Sequence, residues 1–224
     1  TSLNPVMKVG RQVREAVLLH RRGVSRKEAK AEVLRVFEQV GISEPERRYE
    51  CYPHELSGGL RQRVMIAMAM ICKPKLLIAD EPTTALDVTV EAQILRLMQT
   101  LRDENGTSIL LISHNLGVIA QVCDLVYVLY AGRVVEQAET FELFARPLHP
   151  YTRGLLASVA SLGGGGPVLE TIPGAVPDLL HLPEGCSFAP RCGECGARCL
   201  AAVPELIEAA PGHRVRCAKS GGTL

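Results

Sequence analysis

Apolar positions change period along this chain, and the changes mark its elements. Val6, Val9, Val13 and Val17 recur at spacings of three and four, which predicts one face of a helix running to about Arg22. Ser25 then caps a second helix, with Glu28 three residues on as the reciprocal partner of a capping box. Its inward stripe is Ala29, Val33, Val36, Phe37 and Val40, and Gly41 ends it. Leu60 to Cys72 is of helical length and apolar from Val64 to Ile71, so it should be buried on most sides until Lys73-Pro74 breaks it.

Short apolar runs then alternate with helical periods. Leu76-Leu77-Ile78-Ala79 reads as a strand of the kind that parallel sheets cover on both faces. Val90, Ile94, Leu97 and Leu101 give a helix stopped at Asn105-Gly106, followed by a strand at Ile109–Ile112 and a short helix at Leu116–Val122. Leu125–Tyr130 and Arg133–Glu136 flank Ala131-Gly132 as a hairpin. Helical pattern returns over Thr140–Leu162, interrupted at Pro147 and Pro150. Strands separated by helices imply βαβ units, an open parallel sheet and an α/β fold. The glycine run from Gly163 reads as a linker, and the Pro/Gly/Cys-rich remainder, with little periodicity, is too small for a core of its own and should need a staple.

Composition narrows the classes. Lys and Arg number 25 against 24 Asp and Glu, a near-balance that excludes binding of nucleic acid or a membrane surface by net field. No uncharged apolar run approaches the roughly 18 residues of a spanning helix. The start, Thr-Ser-Leu-Asn-Pro, has neither a basic nor an apolar signal-peptide region and no Met, so it reads as a fragment. Of eight cysteines, Cys51, Cys72 and Cys123 are scattered singly and read as buried apolar residues; Cys186, Cys192, Cys195, Cys199 and Cys217 crowd the tail, which suits a reducing compartment and a local metal site.

Two segments carry chemistry. Leu76 to Pro82 is an apolar strand that delivers Asp80 and Glu81 to its carboxyl end, where α/β sheets bind ligands; a strand followed by a solvated acidic turn would read the same. Ser57-Gly58-Gly59 directly precedes a helix, placing bare N–H groups and a hydroxyl at a positive dipole end, an anion site or simply a Ser cap with a Gly turn.

The order settles between these readings. Leu56–Arg63 (LSGGLRQR), then LLIADEP, then Ala85-Leu86-Asp87, then Ser113-His114 after a strand resembles the signature, Walker B, D-loop and switch histidine of the ATP-binding-cassette ATPases. The resemblance implies a partial RecA-like core. It implies that Ser57, Gly58, Gly59 and Gln62 contact the γ-phosphate of ATP held by an opposite subunit, that Asp80 coordinates Mg²⁺, and that Glu81 is the general base. Asp87 would cross the dimer seam and His114 would sense the γ-phosphate. Asn115 stands where Asp is commoner. The Gly-Lys-Ser/Thr loop that cradles phosphates occurs nowhere in these residues; in the family it lies upstream, so the chain resembles a cassette without its N-terminal part, with a sheet edge left unpaired.

His149-Pro150-Tyr151-Thr152, Ile172-Pro173-Gly174 and Gly185–Cys192 (GCSFAPRC) resemble the C-terminal extension of oligopeptide/dipeptide and nickel importer subunits. Cys186, Cys192, Cys199 and Cys217 match that extension's cysteine spacing, which implies a [4Fe–4S] cluster; four thiolates in a core-poor segment also suit Zn²⁺. Cys195 is extra and makes a ferredoxin-like spacing of its own. The division expected is a helical subdomain at 1–72, the rest of the ATPase core at 73–162, a linker at 163–184 and a metal-binding extension at 185–224. The function implied is ATP hydrolysis powering a peptide importer, at the cytoplasmic face of a bacterial inner membrane. A second ATPase subunit, transmembrane permease subunits and, indirectly, a substrate-binding protein would be its partners, with no nucleic acid. A non-catalytic interaction or metal-binding module is the alternative, and a cassette ATPase of repair or translation a third reading, against which the tail motifs argue.

Overall fold

The computed structural model describes residues 3–84, 86–163 and 171–220; Ala85 of the D-loop motif and most of the glycine linker, 164–170, lie outside the described residues. Two compact units form, dividing between His114 and Asn115.

In the first unit, α1 (Val9–His20) buries Val9, Val13 and Val17 against α2 (Arg26–Gln39), whose stripe from Ala29 to Val40 is buried throughout. Val6 does not join the stripe: it is 81% exposed, because the helix starts later, where the Gln12 side chain donates to the Asn4 and Met7 carbonyls and holds residues 4–7 as a turn. The capping box forms as read, Glu28 N donating to Ser25 Oγ at 3.2 Å and Ser25 N to Glu28 Oε2 at 2.8 Å. A short α3 (Pro45–Tyr49), started by Pro45 and not legible as a period, places the fully buried Tyr49 against Gly10, where any Cβ would overlap its ring. Helix α4 (Gly58–Met70) follows, then strand β1 (Leu76–Asp80), α5 (Val88–Asn105, ended by Gly106 at φ +64°) and β2 (Ser108–Ile112).

Strands β1 and β2 pair in parallel, Leu76 opposite Ser108 through Asp80 opposite Ile112. One face of the pair, with Ala79, Leu77, Ile109 and Leu111, packs on the helical core beside Ile94, Met98 and Leu101. The other face is bare: Leu76, Ile78, Leu110 and Ile112 are exposed, Ile78 by 61%. The expectation of a strand covered on both faces therefore fails on one face, since among the described residues the sheet has two strands and one packed layer. Both outer edges are unpaired among those residues.

The second unit opens with α6 (Leu116–Val122), capped by Asn115, whose Oδ1 accepts from Gly117 N at 3.0 Å and Val118 N at 3.4 Å. Asn caps a helix as well as Asp does, which accounts for the departure noted above. The hairpin β3 (Leu125–Tyr130) and β4 (Arg133–Glu139) turns at Ala131 and Gly132, both at positive φ. Pro147 separates α7 (Thr140–Ala145) from α8 (Pro150–Gly163), which starts on Pro150.

Beyond the linker the tail is more ordered than its composition indicates. It contains α9 (Ala197–Ala201), β5 (Ile207–Ala210) and β6 (His213–Val215), and β6 adds antiparallel to β4, giving the sheet order β3-β4-β6-β5. Glu136 of β4, fully buried, fastens this join. Its carboxylate accepts from Leu148 N at 2.6 Å and His149 N at 3.0 Å, and His213 Nε2 lies 2.8 Å away. Phe188 packs among the rings of Tyr130, His149 and Tyr151. Hence the compact units are not the four segments expected. Strand β1 shares a core with the helices of residues 1–72, and the tail shares a sheet with β4.

Candidate functional site

Parallel pairing sets the site. Because β1 and β2 run side by side, the residues just past their carboxyl ends, Glu81 and His114, emerge together. Glu81 N donates to Ile112 O at 2.9 Å, continuing the ladder one step, and Glu81 then turns the chain at φ +46°, a strained conformation for a residue with a Cβ. His114 Nδ1 stands 2.8 Å from Glu81 Oε1, while Thr84 Oγ1 donates to Oε2 at 2.9 Å. The hydrogen bond from His114, and next that from Thr84, holds the Glu81 carboxyl below its ordinary range. The pair is open to solvent, His114 having a side chain 78% exposed. Asp80 ends β1 exposed beside it, a hard oxygen donor of the kind Mg²⁺ takes together with water.

The signature packs on the segment that follows. Ser57 caps α4, its Oγ accepting from Leu60 N at 3.3 Å, which is the capping reading of this segment. A Cβ on Gly59 would stand 2.8 Å from Val90 Cγ1, and one on Gly58 3.4 Å from Leu86 Cδ2. Gly59 thus has a local packing reason in addition to any ligand, whereas a Cβ on Gly58 would meet only ordinary van der Waals contact. Gln62 lies half-buried on the second turn of α4. Asp87 caps α5, its Oδ1 accepting from Val90 N at 2.9 Å, and ties the turn after Glu81 to the helix that touches the signature. Thr84 was not singled out from the sequence; a Thr three residues after the acid carries no signal until the turn is known.

In the tail, all eight cysteines being free, Cys186 N donates to Cys199 O at 2.8 Å. Burial pushes the Cys186 thiol up, with the neighbouring Cys199 and Cys217 adding to it, and pushes the Cys192 thiol up, with Cys199 and Cys186 adding to it. Cys186 and Cys192 are half-buried and Cys199 and Cys217 buried, whereas Cys195 is exposed. In kind the first four fit a thiophilic group, and a bound cation would relieve the burden on buried thiols. Among the described residues, however, no three metal-ligating side chains already close around one centre. Cys51, Cys72 and Cys123 are half-buried and not core residues as expected; Cys51 Sγ donates to Arg47 O and Cys72 Sγ to Ala16 O.

Comparison with known proteins bears on the whole chain. Residues 1–84 match the family described as ABC transporter, and residues 135–199 the one described as oligopeptide/dipeptide transporter, C-terminal region. Among curated proteins, the oligopeptide transport ATP-binding protein OppD of Salmonella typhimurium is 51% identical over 219 residues, 98% of this chain and 65% of its own length. AppD of Bacillus subtilis is 50% identical over 217 residues, covering 97% and 66%. The chain thus spans about two thirds of the length of the curated relatives it matches. Among solved structures, the dimeric bacterial ABC transporter cassette MJ0796 aligns over 62% of this chain and 59% of its own, at a TM-score of 0.55 and 28% identity. The cbiO1 subunit of Clostridium perfringens, part of an ABC transporter complex, covers 65% and 55% at 0.56 and 29%. On these matches, the chain belongs to the ATP-binding-cassette transporter ATP-binding proteins, in the branch that carries the oligopeptide/dipeptide transporter C-terminal region.

Proposed function

We propose that the chain is the signature- and Walker B-bearing part of the ATP-hydrolysing subunit of a di- or oligopeptide importer. The 2.8 Å approach of His114 to Glu81 at the carboxyl ends of adjacent parallel strands carries this reading. Glu81, kept ionised by its two donors, takes the proton of the attacking water; His114 donates to the γ-phosphate, stabilising the charge that develops there. Asp80 would hold Mg²⁺, which supplies charge neutralisation on the phosphates. Ser57, Gly58, Gly59 and Gln62 receive the γ-phosphate of ATP bound by a second cassette subunit, and Asp87 reaches that subunit across the seam. The helices before Gly41 and the turn that leads into them, where Leu19 and Val6 are exposed, would receive the permease subunits at the cytoplasmic face of the membrane. No described helix is long and apolar enough to cross one. Cys186, Cys192, Cys199 and Cys217 would hold a [4Fe–4S] cluster or Zn²⁺ that ties the tail together; iron, sulfide and zinc analysis after anaerobic purification distinguishes the two.

These 224 residues contain no Gly-Lys-Ser/Thr sequence, so residues 1–224 alone should show no ATP turnover above background. In the complete cassette, with its phosphate-binding segment and second subunit, Glu81→Gln keeps the geometry but removes the base. Hydrolysis should fall on the order of 10²- to 10⁴-fold with ATP still bound, and His114→Ala should fall comparably. Near-normal turnover in either variant rejects its assignment. On the second reading, a non-catalytic module, the chain would lend only its signature: mixing with a complete partner would restore hydrolysis that Glu81→Gln leaves untouched.

A further inference from the structure

Both oxygens of the Glu81 carboxylate are engaged, and by donors of different character. His114, on Oε1, comes from the neighbouring strand, 33 residues away in sequence. Thr84, on Oε2, belongs to the same turn as Glu81 and is bound to it twice, because Thr84 N also donates to Glu81 O at 3.2 Å. Glu81 itself sits at φ +46°, and such a residue persists only where its surroundings over-determine it. The terminal torsion of a Glu side chain is broad, so one oxygen bond does not fix the plane of the carboxylate, whereas two do.

The two bonds cannot have the same fate. An imidazole with a single N–H cannot donate to Oε1 and to a phosphate at once; turning to the phosphate, it frees an Oε1 lone pair for the attacking water. We infer that Thr84 is a positioning residue for Glu81, holding Oε2 throughout while His114 releases Oε1 to the attacking water; this rests on the reading of Glu81 as the base. In the step, the water oxygen forms its bond to the γ-phosphorus and its proton passes to Oε1. The bond from that phosphorus to the bridging oxygen breaks, and ADP leaves with the electron pair. Oε2, held by the Thr84 hydroxyl, and Oε1, bonded to the attacking water, together fix the carboxylate plane as the proton moves.

Steady-state hydrolysis by the complete cassette tests this with Thr84→Val, which keeps the shape and loses the hydroxyl, Thr84→Ser, which keeps the hydroxyl, and Glu81→Gln. Misaiming a reacting group by about 1 Å costs on the order of 10²-fold. Accordingly, Thr84→Val should lower kcat by roughly 10- to 100-fold with KM for ATP unchanged, and Thr84→Ser should restore kcat to within about threefold. Thr84→Val turning over normally overturns the inference. So does a parallel loss of ATP binding in that variant, which would make the hydroxyl merely structural, and so does failure of Thr84→Ser to rescue. Undiminished turnover in Glu81→Gln would instead remove the base itself, a separate result visible in the same series.

Discussion

Single residues here carry two duties at once. Gly59 belongs to the signature, yet its missing side chain also leaves room for Val90 of α5, 2.8 Å from where a Cβ would stand. Replacing it with Asp therefore adds a negative charge beside an incoming phosphate and crowds Val90 in one stroke. Pairing Gly59→Asp with Val90→Ala separates the effects. Nucleotide affinity of the single subunit should be unchanged in both proteins, and hydrolysis by the assembled pair should stay lost in both. Turnover restored by Val90→Ala would show that Gly59 acts through packing alone. The residues proposed for this site were legible as candidates because their order along the chain is specific. Thr84 was not, since its role depends on a three-residue turn whose geometry no spacing encodes.

Among the elements, helices announced themselves and the late strands did not. The α2 stripe and its capping box are local patterns, each spacing lying within four residues, and both appear where the sequence places them. Strand β6 is three residues long and pairs with β4 some 77 positions earlier, so no periodicity could show it. What holds it is the carboxylate of Glu136, which also draws in the start of α8 through Leu148 and His149. His149 is buried there with its ring Nδ1 accepting from Tyr151 N, and burial, with Arg153 adding, pushes its pKa down to about 4 against the opposing pull of Glu136. The unfolded chain, titrating near 6.5, takes up the proton first. The stabilisation is thus complete above about pH 6.5 and lost as pH falls toward 4, by about 3 kcal/mol in all. Amide protection in β3 and β4 should drop over that window, and His149→Gln should flatten the drop; a profile equally steep in the variant would assign the proton elsewhere.

For the whole molecule, the α/β class followed from alternating periods, while the coverage of its sheets did not, because coverage depends on which layers are present. A strand as apolar as Leu76–Ala79 reads as doubly buried, yet Leu76, Ile78, Leu110 and Ile112 face outward together. Contiguous apolar surface beside an unpaired strand edge favours association. The isolated chain should self-associate with rising concentration and bind a hydrophobic dye, and Ile78→Lys with Leu110→Lys should reduce both without disturbing the helical signal. Dye binding unchanged by the pair of substitutions would place the sticky surface elsewhere, the exposed side of β3 (Leu125, Tyr127, Leu129) being the next candidate.

The join between β4 and β6 also imposes a schedule on synthesis. Glu136 leaves the ribosome well before His213, and at about 5–20 residues per second the gap lasts roughly 4–15 seconds. Throughout that interval the outer edge of β4 stands open and its carboxylate still awaits its imidazole. The nascent chain must therefore stay competent, or be sheltered, until residues 213–215 arrive to cover the outer edge of β4.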